Sequence, residues 1–96
     1  MISGKNYIGS KVSANGERTF HTFNPKSNQI TAWTFYEASS AEIDEAADLA
    51  EKAFQEYKQF SGVKKAGFLR AIAKEIENLG DELIKTYTQE SGLPVG

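Results

Sequence analysis

The chain changes its patterning near residue 38, and that switch limits the fold more than any other feature. Before it, β-branched and aromatic residues alternate with polar ones between turn signals, the period-2 pattern of strands. After it, alanine, glutamate, lysine and leucine recur at helical spacing. The spacing predicts an α+β arrangement with a hairpin region over residues 1–38 and a helical region over 39–96. At 96 residues, the chain has room for one small domain.

The hairpins are expected over about residues 6–36. Asn6-Tyr7-Ile8 and Lys11-Val12-Ser13 flank Gly9-Ser10, a two-residue turn signal because glycine reaches φ > 0 without a Cβ clash. Asn15-Gly16 is a second turn signal. Asn24-Pro25-Lys26-Ser27-Asn28 reads as a turn in which proline presets φ and Asn28 tolerates the left-handed region, so the strands around it should pair. Ile30 to Phe35 alternates, with Thr31, Trp33 and Phe35 on one face and Ile30, Ala32 and Thr34 on the other.

Two to three amphipathic helices follow, over about 40–60, 63–78 and 81–91. Ser39-Ser40-Ala41-Glu42 fits a capping box. Ile43, Ala46, Ala47, Ala50, Phe54 and Tyr57 then form an apolar stripe, whose alanines would let the second helix approach closely. Leu69, Ile72, Ala73 and Ile76 mark that second helix. Asn78-Leu79-Gly80-Asp81 interrupts the pattern, Leu83, Ile84 and Tyr87 mark a third piece, and Gly92 suits its C-terminal cap.

Such a chain has little to bury. Alanine contributes small area at ~25 cal/mol per Å², and isolated hairpins are marginal in water. Phe20, Phe23, Trp33, Phe35 and Tyr36 are a heavy aromatic load for two ribbons. They need cover either from the helices or from something this chain does not contain, and the second is the expectation here.

Few side chains carry chemistry. Eleven Lys+Arg against 13 Asp+Glu give a net charge of −2, which provides no footprint for nucleic acid or an anionic membrane surface. No apolar run approaches a membrane span, and the first residues lack a signal-peptide core, so a soluble cytoplasmic protein is expected. Zero cysteines remove disulfides, zinc–thiolate sites and a thiol nucleophile. Gly62-Val63-Lys64-Lys65-Ala66-Gly67 begins like a P-loop, but Phe68-Leu69 stands where the Lys-Ser/Thr pair belongs, so a helix–helix turn explains it. His21 has no second donor at ligand spacing and reads as a strand residue. Glu37, Glu42, Asp44, Glu45 and Asp48 read as a solvated helix face, with acidic groups complementing the helix dipole. No catalytic, cofactor-binding or metal-binding residue is assigned.

The order of these signals resembles the amino-terminal end of the aldehyde dehydrogenase superfamily. The likeness lies in Asn6-Tyr7-Ile8-Gly9, Thr22-Phe23-Asn24-Pro25 and Ala38-Ser39-Ser40-Ala41-Glu42-Ile43-Asp44. It continues through Phe68-Leu69-Arg70-Ala71-Ile72-Ala73-Lys74-Glu75-Ile76-Glu77, Asp81-Glu82-Leu83 and Gln89-Glu90-Ser91-Gly92-Leu93-Pro94. Two departures stand out: Ser27-Asn28 replaces the usual Thr-Gly, and Gly92-Leu93-Pro94 replaces Gly-Lys-Pro. The latter, with Asn6-Tyr7-Ile8-Gly9, is similar to the branch acting on α-ketoglutarate semialdehyde (2,5-dioxopentanoate) and to NADP-linked fatty aldehyde dehydrogenases.

The resemblance implies an N-terminal fragment on the cofactor-domain side of a larger, oligomeric, Rossmann-like α/β enzyme. NAD or NADP would be its cofactor, bound outside residues 1–96, and the catalytic cysteine, glutamate and asparagine would lie downstream. The family's monovalent-cation positions would correspond to Thr22 and Glu90, and neither is assigned as a ligand. The expected partners are the remainder of the parent dehydrogenase and, for the piece alone, further copies of itself. A stand-alone helical interaction module is the competing reading; coding sequence running past Gly96 into a glycine-rich turn and a cysteine would exclude it.

Overall fold

The computed structural model describes residues 2–96. Four strands, β1 (Asn6–Ile8), β2 (Lys11–Ser13), β3 (Thr19–Asn24) and β4 (Gln29–Tyr36), precede two helices, α1 (Ser40–Tyr57) and α2 (Gly62–Ser91). The strands form two separate antiparallel hairpins, β1–β2 and β3–β4. The α+β order expected from the patterning is therefore present.

Local chemistry explains the turns. Asn24 Oδ1 accepts from the Lys26 amide at 3.0 Å, the Asn28 amide donates to the Asn24 carbonyl at 2.9 Å, and Asn28 takes φ 60. The β3–β4 register shifts between His21, paired with Thr34, and Phe23, paired with Ile30. This irregularity breaks the regular alternation expected for β4: Thr34 is half-buried alongside Trp33 and Phe35 rather than facing away with Ile30.

The helices begin and end where their caps dictate. Ser39 and Glu42 complete the capping box of α1, and the Ser61 hydroxyl accepts from the Lys64 amide to start α2. The expected interruption falls on Gly80, whose φ 56 and ψ −135 lie outside the helical region, so the second and third helical pieces form a single helix broken at that residue. Gly92 closes it in the left-handed region, its amide bonded to the Thr88 carbonyl.

The two helices meet at one end. The α1–α2 joint is an aromatic cluster in which the Tyr57 ring lies 5.4 Å from Phe60 and 5.7 Å from Phe68. At the far end of α2, Gly92 packs so closely on the Asn24–Asn28 turn that an added Cβ would lie 2.8 Å from Pro25 Cγ. The alanine stripe of α1 is not covered by α2 as the spacing suggested: Ala46, Ala47 and Ala50 are exposed. Contact at the joint alone leaves the helix faces apart.

The result is a thin, open frame measuring 48 × 37 × 17 Å. Its radius of gyration is 16.9 Å, whereas a compact chain of this length has ~12.5 Å. Ile8, 5% exposed, is the only buried apolar side chain among the described residues. The accessible surface of 7736 Å² exceeds by ~2,300 Å² the ~5,500 Å² of a compact protein of this mass.

Candidate functional site

The uncovered surface is concentrated on α2. Phe68, Leu69, Ile72, Ile76 and Leu79 recur at three- and four-residue steps and are 41–61% exposed. With Ala71 and the flanking Glu75, most of them line a shallow groove of about 470 Å³. Beyond the Gly80 break, Leu83, Ile84 and Tyr87 are also exposed. Phe20 and Phe23 are exposed on β3, where Phe20 stacks on Phe35 at 5.5 Å. Soluble monomers rarely leave contiguous apolar surface of this extent uncovered.

The most constrained polar group is Glu42, only 2% exposed. Its Oε1 accepts from the Ser39 amide at 2.9 Å, closing the capping box. Its Oε2 turns the other way, accepting from the Ser13 hydroxyl and from the Asn15 amide at 3.3 Å. The expectation of a solvated acidic face is thus corrected for Glu42, while Glu37, Asp44, Glu45 and Asp48 are exposed. The capping box signalled one carboxylate oxygen; no local pattern signals the other, because its partners lie 29 and 27 residues away.

These donors hold the Glu42 carboxyl down from 4.5 to about 2, the Ser13 hydroxyl first and the Ser39 amide next, against the opposing effect of burial. A carboxylate with a lowered folded-state pKa stabilises the fold fully above its free value and loses that contribution as pH falls through the folded value. Attachment of β1–β2 to α1 should therefore weaken between about pH 4.5 and about pH 2. A carbon-detected NMR titration should place the Glu42 midpoint well below 4.5, and an ordinary midpoint would refute the contact.

The other sequence candidates have structural roles. His21 Nδ1–H donates to the Trp33 carbonyl at 2.8 Å, beside the register shift. The Thr22 hydroxyl is spent on Thr31 at 2.6 Å, and Glu90 is half-buried near the end of α2 that docks on β3. No group of three or more His, Asp or Glu side chains that could hold a metal comes together among the described residues. Gly62 and Gly67 lie in the first turns of α2, and the element immediately before them is the helix α1, not a strand.

Comparison with known proteins adds the decisive observation: the profile of the aldehyde dehydrogenase family matches residues 11–96. The chain belongs to the aldehyde dehydrogenase family. It is similar to the alpha-ketoglutaric semialdehyde dehydrogenase of Acinetobacter baylyi, with 39% identity over 94 residues, covering 97% of this chain and 18% of that protein. Its likeness to alpha-ketoglutaric semialdehyde dehydrogenase 2 of Azospirillum brasilense is 39% identity over 96 residues, covering 99% and 18%. The chain thus spans about 18% of the length of these curated relatives. No solved structure matches it.

Within this dehydrogenase segment, the residues present do not fit a nicotinamide dinucleotide. Such a site needs a glycine-rich turn between a parallel strand and a helix N-terminus, and the described sheets are two-stranded and antiparallel. No helix among the described residues is long and apolar enough to cross a membrane.

Proposed function

We propose that residues 1–96 form the amino-terminal part of an NAD(P)-dependent aldehyde dehydrogenase that oxidises an aldehyde of the α-ketoglutaric semialdehyde class to the carboxylate. In this reading the segment is structural and catalytically silent, and its exposed faces are covered by the remainder of the enzyme. The uncovered surface carries the reading. An excess of ~2,300 Å² on one partner is the scale of a large permanent interface, not of a self-contained domain. The substrate class is supported by the 39% identity to two dehydrogenases of that name along nearly the whole chain. Silence follows from composition: covalent aldehyde chemistry of the thiohemiacetal type needs a thiolate, and the chain has no cysteine.

A chimera tests this. The matching 94 residues of the Acinetobacter baylyi relative are replaced by residues 1–96, and aldehyde-dependent NAD(P)H production is measured. The chimera should turn over α-ketoglutaric semialdehyde, and the isolated chain should not exceed a buffer control. Turnover by the isolated chain would refute silence; a folded but inactive chimera would refute the shared role.

A further inference from the structure

The strand and helix halves are tied together by an amino-terminal arm, residues 4–16. On one side the arm meets β4: the Tyr36 amide donates to the Gly4 carbonyl at 3.0 Å, and Asn6 Nδ2 donates to the Tyr36 carbonyl at 3.2 Å. On the other side β1, which carries the buried Ile8, packs against α1, and three specific contacts join the arm to that helix. Gly9 packs against Leu49, Lys11 pairs with Glu45 at 3.4 Å, and Ser13 and Asn15 donate to Glu42.

These contacts are unequal. The Lys11–Glu45 pair is exposed on both sides, and such pairs contribute little. Gly9 offers no side chain, and the strands of β1–β2 are three residues each, too short to order themselves. Glu42 alone combines burial with an ionic acceptor. Its two oxygens serve different masters, one the helix cap and one the arm.

We propose that Glu42 is a latch: its outward carboxylate oxygen clamps the amino-terminal arm onto the first turn of α1, and losing that contact frees the arm as a unit while α1 stays helical. The two functions of one carboxylate are separable by mutation. Ser13→Ala removes the arm's hydroxyl donor and leaves the cap; Ser39→Ala removes the capping hydroxyl and leaves the arm's donors. The inference rests on contacts inside this chain, so it stands or falls independently of the proposed activity.

The test is peptide-resolved hydrogen exchange on the chimera, repeated on the 96-residue chain. Charge-assisted hydrogen bonds of this kind support ~10-fold or greater changes in local opening. Ser13→Ala and Glu42→Ala should accelerate exchange over residues 6–15 to that degree, with Glu42→Gln intermediate. In Ser13→Ala the α1 amides should keep their wild-type protection, and Ser39→Ala should spare the arm. Arm exchange unchanged in both Ser13→Ala and Glu42→Ala would overturn the latch. So would joint loss of protection in the arm and α1 on Ser13→Ala, which would show general destabilisation. An inactive chimera with the expected exchange pattern would count against the proposed function alone.

Discussion

Ile72→Asp combined with Ile76→Asp should have opposite effects on the isolated chain and on the assembled dehydrogenase. In the chain alone both positions are exposed, and exposed substitutions usually stay within ~0.5 kcal/mol. The wild-type chain should self-associate through its apolar faces, so the double variant should be the better-behaved species in sedimentation velocity. In the chimera the proposed function places the same face against the rest of the enzyme. Burying two unpaired carboxylates there costs at least ~5 kcal/mol, comparable to the whole stability of a domain. Soluble chimera and turnover should both be lost. Retention of full activity by the double variant would mean that α2 is exposed in the enzyme, and the structural reading would fall.

The second large effect is expected at two glycines pressed against the exit of β4. A Cβ on Gly4 would sit 1.8 Å from the Thr34 carbonyl oxygen, and Gly4 also holds φ 70. A Cβ on Gly16 would sit 1.9 Å from the Glu37 carbonyl oxygen. Both obstacles are backbone, so neither can swing aside as a side-chain tip does. Gly4→Ala should cost ~3 kcal/mol or more, from displaced backbone together with left-handed strain, and Gly16→Ala should be nearly as severe. Gly67→Ala is the control: it lies within α2 with nothing nearby, and alanine there should add up to ~1 kcal/mol. Urea midpoints of the 96-residue chain would rank the three, and equal midpoints would contradict the packing.

What was legible in the sequence was short in range. The Asn24–Asn28 turn, the Ser39–Glu42 capping box, the interruption at Gly80 and the Gly92 cap each depend on groups within a few residues of one another. The shortage of internal cover for the aromatic ribbons was legible too, since bulky rings were many and the helix stripe was mostly alanine. For His21 and the Gly62–Gly67 stretch, the sequence pattern itself lacks the neighbouring side chains that a metal site or a P-loop needs.

The remainder depended on distance. The pairing of His21 with Thr34 beside the register shift, the pressure of Gly4 on Thr34 and of Gly16 on Glu37, and the second face of Glu42 join points far apart in the chain, 29 residues in the case of Ser13 and Glu42. Local propensity has no term for such encounters. Sequence alone therefore marked the caps and turns between the elements, because these satisfy nearby backbone groups. Only the tertiary structure decided that the helices meet at their joint alone and that most of α2 is left bare. Packing is set by which surfaces find cover, and here most of the apolar surface finds none among the described residues.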